Sequence, residues 1–423
     1  MRPLAAGRGR LTGGKLALRR LLLPRDADAA VAPLIIGRAL RAFSDGYVAV
    51  LLPAYLLALG FDQLDVGILS TVTLAGSALA TLAVGAVGHR WTRETLLLGA
   101  ALLMCLTGLG FASITAFWPL LLVAFVGTIN PGAGDVSVFL PLEHAQLAVA
   151  ASGDARTALY ARYSLTASLM NAVGALASGV PAWLLRFAEI PLTAGMRAMF
   201  VLYAFIGALI WLLYRRLPRA KTAFNQDATP LGPSRGIVFK LAALFSVDAF
   251  AGGLVVNSLM TLWLFERFGL SLTQAGVFFF VTSLLSAFSQ LVAPLVARRI
   301  GLLNTMVFTH IPANALLILA AVAPNLPLAL AALFARSALS QMDVPTRTAF
   351  VMRVVTPAER AAAASFTAVP RSLASAASPA LAGALLGAGL LALPLIVAGA
   401  MKIAYDLSLL VFFRRVEPPD ESK

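Results

Sequence analysis

Asp45 lies in the run Ala42-Phe43-Ser44-Asp45-Gly46-Tyr47, and Asp248 in Ser246-Val247-Asp248-Ala249-Phe250. Both runs are parts of long apolar stretches. A carboxylate in a bilayer-spanning helix costs roughly 2.5–3.5 kcal/mol on insertion scales, so its presence is a functional signal by default. Two chemistries fit. A desolvated carboxyl favours its neutral form and can take up and release a proton. A carboxylate can also meet a cation, either a substrate or a structural partner such as Arg38 or Arg41. Two further aspartates stand beside helix-breaking residues, in Asn130-Pro131-Gly132-Ala133-Gly134-Asp135 and Gln341-Met342-Asp343-Val344-Pro345. Arg162 and Arg371 come from the apolar stretches that follow. The sequence predicts two repeat-related pairs, Asp135 with Arg162 and Asp343 with Arg371, that break and reform as a gate. Arg371 lies deeper and could instead meet an anionic substrate.

Uncharged polar residues fill out the candidate site. Tyr47, Asn257 and Gln290 could orient a solute, and Asn171, Ser286, Ser289 and Asn314 could do so or bond helices together. His310 could relay a proton or bond a backbone carbonyl. Lys402 and Asp406 are spaced i, i+4 and are expected to neutralise each other on one helix face. The chain has no G-x-x-x-x-G-K-[ST] phosphate loop and no paired Cys or His set, so neither a nucleotide, another cofactor nor a metal is expected. The lone Cys105 forms no internal disulfide.

The elements that position these residues follow from composition. Of 423 residues, 60% are apolar, 33 more are glycine, and 12% are charged, against roughly 25% charged in soluble domains. So few polar groups cannot cover a soluble protein of this size, so the chain is an integral membrane protein. A spanning helix needs about 20 mostly apolar residues. Twelve candidates stand near 36–59, 66–87, 95–112, 117–138, 157–185, 198–214, 237–264, 274–296, 303–323, 328–346, 361–388 and 392–412. The formal charge of +14 reads as cation-rich loops on one membrane face rather than as nucleic-acid binding. Arg90, Arg93, Arg215, Arg216, Arg298, Arg299, Arg353, Arg360, Arg414 and Arg415 share the face that holds both termini. That face is expected to be cytoplasmic, in a plasma membrane of bacterial inner-membrane type. The organisation is a basic tail over 1–35, a six-helix unit over 36–214, a cytoplasmic linker over 215–236, a second unit over 237–413 and a tail over 414–423.

The halves repeat. At an offset of 209 residues Gly60 falls on Gly269, Gly67 on Gly276, Arg90 on Arg299, Arg162 on Arg371 and Gly174 on Gly383. Transporters commonly carry such repeats, with the substrate site between them. The loop after the second span reads Gly85-Ala86-Val87-Gly88-His89-Arg90-Trp91-Thr92-Arg93. It resembles the signature loop of the major facilitator superfamily, G-x-x-x-D-R-x-G-R, with His89 in place of the acid and Thr92 in place of the second glycine. A degenerate copy follows the eighth span, with Arg298, Arg299 and Gly301. The resemblance runs from about residue 36 to 413. It implies an all-helical membrane fold of twelve helices in two pseudo-symmetric six-helix bundles, in which these loops latch neighbouring helices. It does not extend to the drug antiporters, because residues 117–138 contain no Arg or Lys and the Gly174, Gly179 and Pro181 pattern only loosely matches theirs.

The expectation is a secondary transporter, not an enzyme, moving a small organic solute by alternating access. Proton-coupled efflux is the first reading, with Asp45 or Asp248 carrying the proton. Proton-linked uptake of a metabolite or organic anion is the second, and would use Arg371. A non-transporting sensor or assembly protein is the alternative of another class. The partners expected are the solute, H+ and the lipid bilayer, with the chain working as a monomer.

Overall fold

Two glycines related by the repeat close the first span of each half. Gly60 (φ +91°) and Gly269 (φ +65°) adopt left-handed backbone, which a Cβ disfavours. Each is followed within three residues by a side-chain cap. Asp62 caps the second span through the Asp65 N–H, and Ser271 caps the eighth through the Gln274 N–H, both as full capping boxes. The offset read from sequence is therefore a structural repeat of turn and cap.

The computed structural model describes residues 31–132, 137–150, 153–217 and 231–415. Helix α1 (Ala32–Ala58) forms span 1, α2 (Gln63–Val87) span 2 and α3 (Arg93–Ser113) span 3. Span 4 is α4 (Phe117–Val126) and α5 (Phe139–Ala150), and span 5 is α6 (Gly153–Ala177) and α7 (Val180–Ala188). Span 6 is α8 (Leu192–Tyr214). The second half repeats the scheme. Span 7 is α9 (Arg235–Gly253) and α10 (Asn257–Phe268), span 8 is α11 (Leu272–Ile300) and span 9 is α12 (Leu302–Val322). Span 10 is α13 (Leu326–Ser340) and α14 (Asp343–Val354), span 11 is α15 (Arg360–Ala377) and α16 (Pro379–Gly387), and span 12 is α17 (Leu393–Phe413). Among the described residues, nine helices are long and apolar enough to cross a membrane. Spans 5 and 7 count among the nine across their interruptions, whereas spans 4, 10 and 11, also built from two helices each, do not.

Spans 4 and 10 run further than the sequence suggests. The expected ends at 138 and 346 give way to α5 and α14, so Glu143 and Arg347 lie on spanning helices rather than in loops.

Small residues set how closely spans approach. A Cβ on Gly67 would stand 2.7 Å from the Pro379 carbonyl oxygen and 2.9 Å from the Gly383 Cα. One on the repeat-related Gly276 would stand 2.6 Å from the Ala175 carbonyl oxygen. Span 2 of the first half thus meets span 11 of the second, and span 8 meets span 5, in the same way. Both contacts lie toward the face opposite the termini. Hydrogen bonds between the halves lie there or near mid-membrane. Gln63 donates to Glu266 at 2.9 Å, the Ala380 N–H to Thr71 at 2.9 Å, and Ser283 to Asn171 at 3.3 Å. At the centre the Ser258 N–H donates to the Pro131 carbonyl at 3.0 Å. This bond joins the interruption of span 7 to that of span 4, satisfying backbone groups that a broken helix frees within the bilayer.

Candidate functional site

Among the described residues, each half contains a buried charge cluster that ties its first span to its fourth. In the first half, Arg41 on α1 donates to Glu143 on α5 at 2.5 Å, with the two side chains 5% and 0% exposed. The hydroxyls of Tyr163 on α6 and Tyr214 on α8 donate to the same carboxylate. Arg41 also stacks over the Phe139 ring, 3.9 Å from its centroid. Four spans meet on one carboxylate. Glu143 accepts a charge-assisted bond and two hydroxyl bonds, the arrangement in which a buried ion is tolerated. Asp45, half-buried one turn along α1, adds its negative charge to the surroundings of Arg41.

The second half is richer. Asp248 on α9 accepts from Lys402 on α17 at 2.5 Å and from Arg347 on α14 at 3.1 Å, all three being under 10% exposed. Lys402 also donates to the Asp248 carbonyl at 3.2 Å. Arg347 turns its other contact to Asp343, one turn back on its own helix. Behind this group His310 on α12 lies 3.0 Å from Asp406 on α17. The Tyr405 hydroxyl is buried without a hydrogen-bond partner and sits within electrostatic reach of Arg347, Asp248 and Asp343.

Two sequence expectations are corrected here. Lys402 and Asp406 do not pair across one helical turn. Lys402 reaches across to span 7 and Asp406 to span 9, because each finds a buried partner there; a same-face pair would have left Asp248 with Arg347 alone and His310 without its carboxylate. Asp343 pairs with Arg347 rather than with Arg371. Arg347 is already one turn away on the same helix, whereas Arg371 stands on the next span, exposed. Among the described residues Arg371 makes no ion pair. Of the other expected pair, Asp135 lies outside the described residues, and Arg162 is half-buried on α6.

The polar candidates divide by exposure. Tyr47 is fully buried and donates to the Met199 carbonyl at 3.1 Å, which makes it a bond between spans 1 and 6 rather than a group facing a solute. Asn257 and Gln290 are half-buried, at the start of α10 and within α11. Asn171 donates to the Ala42 carbonyl at 3.4 Å. In the signature loops, Gly85 and Arg90 are exposed and Gly88–Arg90, which includes His89, forms a 3-10 turn. Arg93 is buried and donates to the Ala145 carbonyl of span 4 at 3.0 Å, so this arginine does tie the loop to a neighbouring span. Arg298 and Arg299 are exposed at the end of α11, and Gly301 turns the chain with φ +87°.

Sequence reasoning missed Glu143, Arg336 and Arg347. Glu143 and Arg347 fell beyond the expected ends of spans 4 and 10, though continued helical spacing past Pro131 and Pro345 would have placed them. Arg336 stood in plain sight within the tenth span. Its Nε is buried without a partner, and its charge lies within reach of Asp248.

The family model described as Major Facilitator Superfamily matches residues 34–334 and, in a second overlapping match, 249–423. An uncharacterized membrane protein of Saccharomyces cerevisiae, YJR124C, is 25% identical over 414 residues, covering 89% of this chain and 92% of that protein. Among solved structures, a D-xylose-proton symporter superposes with a TM-score of 0.71 at 14% identity, over 92% of this chain and 98% of its own. A bacterial homologue of the iron transporter ferroportin, in an inward-facing state, gives 0.71 at 13% identity over 90% and 98%. At these identities the likeness is one of fold.

Proposed function

The chain belongs to the major facilitator superfamily, and from that premise we propose that it is a secondary active transporter that moves a small organic solute by alternating access. One observation carries the proposal. The halves close on each other through Gly67–Gly383, Gly276–Ala175 and Gln63–Glu266, toward the face opposite the termini, while each half keeps a charge cluster on repeat-related spans. With both termini cytoplasmic, this is a conformation sealed outward. Rocking about the central Ser258–Pro131 contact would exchange that seal for one on the cytoplasmic side.

Coupling to protons is part of the proposal, with export of the solute as the first reading. Asp248 is held between Lys402 and Arg347, and neutralising it would leave the buried Lys402 uncompensated and Arg347 with Asp343 alone. Asp45 is half-buried on α1, less enclosed than Asp248. Asp45 is therefore the first candidate carrier, and the His310–Asp406 pair the second. Uptake of a metabolite or organic anion is the second reading, favoured by the exposed Arg371, which makes no ion pair among the described residues.

The test is solute movement into proteoliposomes under an imposed pH gradient. Movement driven by the gradient, reduced to gradient-independent exchange by Asp45→Asn, supports the reading. Equal gradient-driven movement in Asp45→Asn removes Asp45 from it, and gradient-independent movement by the unmodified chain removes proton coupling.

A further inference from the structure

The two charge clusters are not balanced alike. In the first half Arg41 meets Glu143 and has Asp45 within electrostatic reach. In the second half Lys402, Arg347, Arg336 and Arg371 all lie in contact with Asp248 or within electrostatic reach of it. Only three carboxylates answer them. Asp248 is occupied by Lys402 and Arg347, Asp343 by Arg347, and Asp406 by His310. Arg336 and Arg371 are left without an ion pair among the described residues. An uncompensated cation at membrane depth is costly and is kept where something neutralises it.

The direction in which Arg371 points identifies where that something comes from. On α15 the exposed apolar side chains Phe366 and Leu373, 49% and 43% exposed, mark the lipid-facing stripe. At 100° per residue Arg371 stands about 140–160° away from both. It therefore stands on the face turned toward Arg347, Asp248, Asp343 and Tyr405, away from the lipid-facing stripe. The nearby Tyr405 hydroxyl has no partner, and the buried Arg336 Nε has none either.

We propose that this wall of the central space, between spans 7, 10, 11 and 12, is a binding site for the anionic group of a small organic solute. Arg371 holds that group, with Arg336 and the Tyr405 hydroxyl as further donors. A guanidinium offers two parallel N–H groups to a carboxylate or phosphate, which gives orientation as well as attraction. A bound anion supplies countercharge to Arg336 and Arg371, so occupancy of the site and the movement of the halves become linked through that charge. The inference rests on the transporter reading and adds its substrate class: organic anions rather than cations, zwitterions or neutral sugars.

The experiment uses the full-length protein in detergent and in proteoliposomes. Thermal unfolding is followed with matched probes: benzoate against benzamide, lactate against lactamide, and glycerol 3-phosphate against glycerol. Counterflow of the same compounds follows. At least one anion is expected to raise the unfolding midpoint and to exchange, while its neutral partner does neither. Arg371→Gln is expected to weaken that anion at least tenfold, Arg371→Lys less, and Arg336→Gln to weaken it by an intermediate factor. Should Arg371→Gln not fold, the contrast between Arg371→Lys and Arg336→Gln carries the comparison. Equal stabilisation by an anion and its neutral partner, unchanged affinity in these variants, or counterflow of neutral or cationic solutes alone would overturn the anion site and leave transport standing. Binding and exchange by none of the solutes, charged or neutral, would overturn the site and count against the transport reading itself.

Discussion

Replacing Lys402 with methionine removes one of the two cations that hold Asp248. The Lys402 Nζ lies 2.5 Å from one carboxylate oxygen and Arg347 lies 3.1 Å from the other. Breaking a buried ion pair from one side typically costs about 3–5 kcal/mol. Arg347 stays in place, which puts Lys402→Met near the lower end, about 3 kcal/mol. Adding Asp248→Asn removes the stranded charge and leaves Arg347 with Asp343, so the double variant should recover about 2 kcal/mol of that loss. The same cycle with Asp406→Asn should show coupling below about 0.5 kcal/mol, because Asp406 faces His310 and not Lys402. Unfolding free energies from SDS titration in mixed micelles, followed by tryptophan fluorescence, give all three numbers. Additivity between Lys402 and Asp248, or stronger coupling of Lys402 to Asp406, would refute the assignment of partners and restore the simple i, i+4 pair.

In the first half, Glu143→Gln strands Arg41 and weakens the bonds from Tyr163 and Tyr214. The expected loss is about 3–5 kcal/mol, most of it recovered when Arg41→Met is added, in the same SDS titration. Gly67→Ala pushes a methyl against Pro379 and Gly383 and should cost about 1–3 kcal/mol. It should also raise the labelling rate of a cysteine placed at Gln63, while Gly85→Ala, which meets nothing within 4 Å, should leave stability and labelling unchanged. Outside the spans, hydrogen bonds from Ser234, Thr356 and the Gly232 N–H lower the Glu359 carboxyl to about 2. Its ionised form therefore stabilises the fold above the unfolded-state value, and that contribution is lost as pH falls from about 5 toward 2. Glu359→Gln should flatten the fall in unfolding midpoint over that window, and an unchanged acid limb would show that Glu359 does not anchor residues 232–234.

The fold was legible where it depends on local rules. The match of Gly60 with Gly269 pointed to the repeat and length with hydropathy to the spans, while the left-handed turns and the caps at Asp62 and Ser271 came with the structure. The intramembrane acids were legible too, because a charge in an apolar run is conspicuous whatever its partner. The partners were not. Helical spacing names neighbours on one helix, and it paired Lys402 with Asp406. The cost of burial is met instead by whichever countercharge is in reach across spans, and only packing decides that. Glu143 and Arg347 were hidden for a second reason. Pro131 and Pro345 look like span ends, yet helix resumes at Phe139 beyond the first and Pro345 sits in the first turn of α14, and each helix carries its charged residue into the bundle.

Alternating access requires the contact between Gln63 and span 11 to open in every cycle. A Cβ placed on Gly387 would stand 3.8 Å from the Gln63 Cβ, the usual Cβ–Cβ separation across a disulfide of about 3.8 Å. The direct test is solute counterflow by Gln63→Cys/Gly387→Cys in a Cys105→Ser background, measured oxidised and reduced. The account predicts that oxidation abolishes exchange and that reduction restores it, with each single cysteine variant unaffected. Undiminished exchange with the bond quantitatively formed would contradict it.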